Sequence, residues 1–421
     1  MRMIQTGILL SIVAACKTTN TSQVSQNSSE NNKADNRIDD GIIFAKSDEE
    51  RSDMKKVISQ AFIIAEGNRQ RSGTARRDTH SKTHGCLRGE LKLNDNLPNV
   101  LKNDFFIDGA RYPIVARFSN GATGFNPDRA PDARAMAIKV KLNKPQKSGL
   151  PTVSSETQSL LDPSKIKFEN PKRLTTTLDF ITNNYPVFFL STIKSFGQFQ
   201  ADLIAGARAG DPQSAIRNYF VNGNPENGVP KAVANKEGAI FQKLSSVADG
   251  LLNQDYYSGS VFKANKKVLF KYGFAACQDN KLNLASEEQI ASEDSYLSQN
   301  LETNISNHSQ CLEMFVQLAK ADSLSESDPL VNLPTELWSN ADYPRLVIGK
   351  VVFPKQVLDQ TVTRQACENL SFTIWRGDYD QIEPVGELNR LRRYAYPAIH
   401  QWRMKANNQP IPEEGSVFFQ P

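Results

Sequence analysis

Apolar residues recur at helical spacing in residues 54–70, where Met54, Val57, Ile58, Ala61, Phe62 and Ala65 fall on one face of a 3.6-residue turn. Strand-like runs follow at 90–93, 114–120, 133–142 and 178–183. The third shows the pattern best. Met136, Ile138, Val140 and Leu142 alternate with Ala137, Lys139 and Lys141, the period of a half-buried strand. Helical spacing returns at 193–207 and 212–219, and four more strands are read at 258–262, 268–276, 312–319 and 346–353. Segment 143–176, rich in Pro, Lys and Ser, and segment 279–310 read as surface excursions. Four strands, a helical insert, four strands and a C-terminal helix predict an α+β chain built on an eight-stranded antiparallel β-barrel.

The first forty residues follow neither pattern. Arg2 supplies a positive start, residues 8–15 are mostly apolar, and Val13, Ala14 and Ala15 precede Cys16. Small residues at that point suit a signal peptidase. A Cys directly after them resembles the lipobox of bacterial lipoproteins, in which Cys16 would carry lipid; an ordinary signal peptide with an incidental Cys is the alternative. In residues 17–36, 14 of 20 positions are Ser, Thr, Asn or Gln, a composition that buries no core. As a random coil this segment reaches about 25 Å. The expected division is a signal peptide at 1–15, a polar tether at 16–40 and one folded domain at 41–421, exported and held at a cell-envelope membrane.

Composition narrows the class. The chain has 421 residues, 39% hydrophobic and 23% charged, with a formal charge of +4. Lys and Arg are interspersed with Asp and Glu, so no nucleic-acid footprint stands out. Cys86, Cys277, Cys311 and Cys367 remain after Cys16, and an exported chain permits disulfides. Four cysteines allow three pairings; Cys277 and Cys311, between two consecutive strands, are the best placed. No cysteine or histidine spacing suggests zinc.

Candidate chemistry concentrates near the C-terminus. Arg392, Tyr396, His400 and Arg403 share one face if their segment is helical. Cations at one-turn spacing favour the ionised form of a phenol, and a phenolate is a hard ligand for ferric iron; an amphipathic helix with a buried Tyr is the plain alternative. The segment resembles the proximal haem helix of haem catalases, R-x-x-x-Y-P-x-x-H-x-x-R, a family in which Tyr ligates haem iron. Arg77, Asp78, Thr79, His80, Ser81 and Lys82 resemble the family's distal R-x-x-H-A-K. Arg117, Phe118 and Ser119 resemble R-F-S. Residues 183–189 resemble N-N-T-P-x-F-F, with Phe196 and Phe199 beyond them at the family's porphyrin-stacking positions. These segments occur in family order over roughly residues 70–405.

The resemblance implies a catalase-like barrel, a C-terminal proximal helix and haem b. Tyr396 would be the axial ligand. His80, Asn183 and Ser119 would form the distal set, with Arg77, Arg117 and Arg403 on propionates and Arg392 on the phenolate. Thr79, Phe188, Phe196, Phe199 and His400 would line the cofactor. The implied activity is peroxidase or catalase chemistry on hydrogen peroxide or organic hydroperoxides. Hydroperoxide rearrangement, as in allene oxide synthases of this scaffold, and a non-catalytic haem-binding lipoprotein are the rivals. Departures are present too. Thr79 replaces a common Val, Tyr185 a common Thr and Ala135 a Gly, while His84 offers a second distal candidate. The chain ends 18 residues after Arg403, which under the resemblance groups it with small catalase-related proteins. The lipobox reading is tested by Cys16→Ser, which should abolish incorporation of labelled fatty acid and release the protein from membranes; unchanged membrane retention would refute it.

Overall fold

The computed structural model describes residues 42–153, 167–169, 173–319, 323–358, 362–410 and 418–419. The proposed leader, lipid site and tether lie outside these residues. Helix α1 (Asp48–Ser72) starts where Ser47 accepts a hydrogen bond from Glu50 N and ends at Gly73, whose φ of 73° closes it in the left-handed region. All six apolar positions read from its spacing are buried. Strands β1 (Thr83–Leu93), β2 (Arg111–Asn120) and β3 (Arg134–Lys147) follow, then a small hairpin of β4 (Thr152–Val153) and β5 (Phe168–Glu169), and β6 (Leu174–Asn183). The helical insert comprises α2 (Ile193–Ala209), α3 (Pro212–Asn222) and α4 (Lys231–Leu244). After it come β7 (Tyr256–Tyr257), β8 (Phe262–Ala264), β9 (Val268–Ala276), α5 (Glu287–Ser292), α6 (Tyr296–Asn307) and β10 (Gln310–Leu318). The chain ends with α7 (Pro329–Asn332), β11 (Arg345–Phe353), α8 (Val362–Asn369), β12 (Ile382–Pro384) and α9 (Glu387–Ala406).

Strands pair in the order β10-β11-β1-β2-β3-β6-β7-β9, and β9 pairs with β10 to close the ring. The result is the expected eight-stranded antiparallel barrel, with β8 pairing the β9 edge beyond β7 and β12 pairing β8. Its interior is aromatic and aliphatic: Phe118, Phe180, Tyr256, Tyr272, Phe274 and Phe353 belong to one buried cluster. Phe180 lies 4.9 Å from Tyr272, ring to ring, in an edge-on contact that aromatic quadrupoles favour. A second cluster joins α1 to α9 outside the barrel, with Phe62 against Trp402. Among the described residues no helix is long and apolar enough to cross a membrane.

Four expectations change. Segment 258–262 is not one strand, because Gly259 takes a φ of 64° and separates β7 from β8. Segment 279–310 is not an excursion: α6 buries Tyr296, Leu297, Leu301 and Ile305 in the barrel's own cluster. Segment 143–176 contributes Val153 and Phe168 to the core beside α9, with Phe168 4.9 Å from Tyr394. Strand β1 also begins well before residue 90, where Gly85 and Gly89 carry no side chain to mark the alternation. Cys277 bonds Cys311, as the strand order suggested, and Cys86 bonds Cys367.

Candidate functional site

The barrel wall positions the site through its register. Thr83 pairs with Ser119, Ser119 with Ala135, Ala135 with Asn183 and Asn183 with Tyr257, a single row across five strands. Side chains alternate along a strand. Phe118 therefore points into the barrel while Arg117 and Ser119 point outward, toward the helical layer. Ala135 keeps the row shallow between Ser119 and Asn183. Gly259 lies close by: a Cβ there would meet Asn183 Nδ2 at 3.2 Å.

Between this outer wall and helices α1, α2 and α9 lies a cavity of about 330 Å³. The residues that the family resemblance assigned to the cofactor site all line it: Arg77, Thr79, His80, Arg117, Ser119, Asn183, Phe188, Phe196, Phe199, Arg392, Tyr396, His400 and Arg403. On α9, Arg392 Nε donates to Tyr396 Oη at 2.9 Å, and its Nη1 donates to Asn389 Oδ1 at 3.1 Å. Tyr394 is wholly buried elsewhere and accepts from Phe44 N and Arg393 Nη1, so Tyr396 is the phenol that faces the cavity.

His80 sits at a φ of 57°, a left-handed conformation that a non-glycine residue holds only when its surroundings fix it. Its N–H donates to Gly121 O at 3.1 Å, and its Nδ1 lies 3.1 Å from Asn120 O. A carbonyl partner makes Nδ1 the protonated nitrogen and leaves the Nε2 lone pair free. Ser119 Oγ is 3.5 Å from the same Nδ1, at the outer limit of a hydrogen bond. Burial, then the Arg117 charge, pushes the imidazole down to about 4, so it is neutral at pH 7. His84 is buried behind the wall, with Nε2 2.7 Å from Asn120 Oδ1 and Nδ1 3.3 Å from Ser298 Oγ. The second distal candidate thus sits behind His80. It faces Asp128, which pairs with Lys82 at 2.6 Å.

One stretch of the cavity wall is cationic. Arg77 Nη1 donates to Glu368 Oε2 at 2.8 Å; Arg117 Nη2 donates to His80 O at 2.8 Å; Arg403 Nη2 donates to Leu370 O at 3.2 Å. Burial, then the Arg77 charge, holds the Arg117 guanidinium down to about 9. His400 lies well below its usual value, through burial and then the Arg403 charge. Three buried donors on this wall, Arg117 Nε, Arg403 Nε and His400 Nε2, meet no acceptor among the described residues. Asp78 also lines the cavity, its carboxyl pushed up to about 6 by burial. Glu368 and Asp78 went unread in the sequence. Glu368 belongs to a short helix that the pattern did not reveal, and a lone acid carries no motif.

No family model matches the sequence, and no curated protein does. Solved structures do. The chain is 18% identical to a fungal catalase, with a TM-score of 0.59 over 83% of this chain and 62% of that one. A bacterial catalase gives a TM-score of 0.58 at 18% identity, covering 82% and 62%. Catalase A from Saccharomyces cerevisiae gives 0.58 at 18% identity, covering 83% and 66%. The chain spans under two thirds of the length of each. At this identity the likeness shows the fold, which is catalase-like.

The buried imidazoles set an acid response. His84 is held at about 4, by burial against the opposing pull of Asp128, from an ordinary 6.5. Between those values the unfolded chain binds the proton and the folded one does not, so stability falls as pH drops from 6.5 toward 4. The shift corresponds to about 3 kcal/mol. Urea midpoints measured from pH 7 to 4 should fall less steeply in His84→Gln than in the wild type; equal slopes would contradict the assignment.

Proposed function

We propose that this chain is a haem b-dependent oxidoreductase acting on peroxides, exported and anchored to a cell-envelope membrane through Cys16. The observation that carries the reading is two groups of side chains in one cavity. On α9, Arg392 hydrogen-bonds Tyr396; further along the same helix His400 Nε2 and Arg403 Nε, together with Arg117 Nε from the barrel strand, are buried donors that meet no acceptor among the described residues. A planar apolar ligand with carboxylates at one edge fits that donor set, because buried donors left unpaired are costly. Phe188, Phe196 and Phe199 supply apolar contact. Haem meets these requirements, with Tyr396 to hold iron and Arg77, Arg117 and Arg403 to hold propionates.

Bound there, ferric haem would supply the redox chemistry that breaks a peroxide O–O bond. The residues around it supply the proton chemistry. Neutral His80 presents Nε2 to take the proton from the nearer peroxide oxygen and return it to the departing one. Asn183 Oδ1 is engaged by Tyr185 N at 2.9 Å, so its Nδ2 is the group free to donate to a peroxide oxygen. Arg392 keeps Tyr396 Oη in place as a ligand atom.

The cavity continues past these groups beneath the helical insert, where Phe189, Ile216, Phe241 and Leu244 line it. This apolar extension favours organic hydroperoxides over hydrogen peroxide. It also suits hydroperoxide rearrangement, and product analysis separates the two: reduction gives an alcohol and an oxidised donor, rearrangement an isomer of the substrate.

Tyr396→Phe should abolish the Soret band or transform the charge-transfer bands of the purified holoprotein. Tyr394→Phe should keep the spectrum and lower stability by about 1 kcal/mol, since Arg393 and Phe44 N lose an acceptor. A normal Soret band in Tyr396→Phe would sink the haem assignment.

Thr79 lines the cavity beside His80, but the imidazole is held by Asn120 O and Ser119. Its hydroxyl is therefore placed to bind small polar molecules in the cavity, not to hold the imidazole. A competing hydrogen bond of about 1 kcal/mol slows turnover roughly fivefold. Oxygen evolution from hydrogen peroxide should rise by about that factor in Thr79→Val, with little change for a bulky hydroperoxide. No change in oxygen evolution counts against this role.

A further inference from the structure

Behind the cationic wall, Glu368 connects parts of the fold distant in sequence. Its Oε2 accepts from Arg77 at 2.8 Å and lies 4.0 Å from Arg117 Nη2. Its Oε1 accepts from the Thr83 hydroxyl, and Thr83 Oγ1 in turn accepts from Arg117 Nη2 at 2.5 Å. Its backbone oxygen accepts from Arg77 at 3.2 Å and from Arg403. Leu370 O, two residues on, accepts from Arg77 at 2.7 Å and from Arg403 at 3.2 Å. The C-terminal end of α8 thus turns its carbonyls and one carboxylate toward three guanidiniums, the polarity a helix C-terminus favours. Despite the cost of burial, the charges of Arg117 and Arg77 hold the Glu368 carboxyl down to about 2. The cavity itself is lined by the arginines, with Glu368 behind them. The three guanidiniums outnumber the carboxylates set against them, Glu368 and Asp78, and leave this side of the cavity positive toward a ligand bearing carboxylates.

The residue before Glu368 is Cys367, bonded to Cys86 across a sequence separation of 281. Cys86 is the cross-strand partner of Arg117. One covalent bond therefore ties α8 to the strand position beside a wall arginine. Besides this bond and the Glu368 contacts, among the described residues α8 meets a small apolar cluster of Val115, Leu370 and Phe418, and Asn369 Nδ2 donates to Gln409 Oε1 at 3.2 Å.

We propose that Glu368 is a positioning residue of the cationic wall and that the Cys86–Cys367 disulfide makes its placement depend on thiol redox state. Oxidised, the wall is ordered to grip a ligand bearing two carboxylates. A dithiol reductant delivers two electrons and two protons, opens the Sγ–Sγ bond to two thiols and becomes a disulfide itself. The carboxylate and the carbonyls of α8 then lose their fixed relation to Arg77, Arg117 and Arg403. This inference rests on the haem reading, and its test separates the two.

The purified chain is titrated with hemin, with metal-free protoporphyrin IX and with the dimethyl ester of that porphyrin, before and after treatment with a dithiol. The metal-free compound keeps both carboxylates and contains no iron for the dithiol to reduce. In the wild type and in Cys277→Ser/Cys311→Ser, reduction should weaken metal-free protoporphyrin binding about tenfold and leave the diester unchanged. Cys86→Ser/Cys367→Ser should bind weakly with or without reductant, and Glu368→Gln should lose the preference for diacid over diester. Equal loss for diacid and diester on reduction would mean general loosening of the fold and overturns the proposal, as does no loss at all. If Cys86→Ser/Cys367→Ser fails to fold, reduced Cys277→Ser/Cys311→Ser carries the comparison. Tight hemin binding without a redox effect defeats only this proposal, whereas failure of the oxidised wild type to bind either diacid porphyrin defeats the haem reading as well.

Discussion

Cross-strand register is the constraint on which the site depends. Ser119, Ala135 and Asn183 lie in one row because β2, β3 and β6 pair in one frame. A slip of one residue would exchange faces, sending Arg117 and Ser119 into the aromatic interior and Phe118 out to the cavity. Burial of Phe118, Met136 and Phe180 inside the ring holds the frame, so the apolar core and the polar wall are two faces of one alignment. The core secures the fold, and the outward face inherits a fixed geometry from it.

Helix α9 meets that face with its own constraint. Arg392, Tyr396, His400 and Arg403 follow one helical stripe, while Leu391, Tyr394, Ala398 and Trp402 are buried on another. Glu387, at the helix start, accepts from Ile193 N at 2.7 Å and fixes α9 against α2. The phenol, Arg392, His400 and Arg403 are thus carried by one rigid element, and their separation along it is set by helical rise alone.

Much of this was legible from the sequence because it is local. Each motif spans a dozen residues or fewer, and where it lies on one element spacing fixes relative placement: Arg392 to Tyr396 on a helix, Arg117 to Ser119 on a strand. Glu368 was not legible, since its partners Arg77 and Thr83 lie nearly three hundred residues away and only the closed barrel brings them together. Helix α6 was hidden by composition. Tyr296, Leu297, Leu301 and Ile305 are spaced for one face, but Ser, Asn, Gln and Glu surround them and dilute the pattern. Strand β7 has two residues, too few for any period to register.

That brevity matters for motion. The ring closes between β6 and β7 through one registered pair, Asn183 with Tyr257, whereas β1 and β2 align over most of their length. Proteins open locally where backbone pairing is sparse, at free energies well below that of global unfolding. The β6–β7 joint should therefore be among the first places in the barrel where amide protons exchange. Because Asn183 forms half of it, the site borders the seam through which the ring breathes.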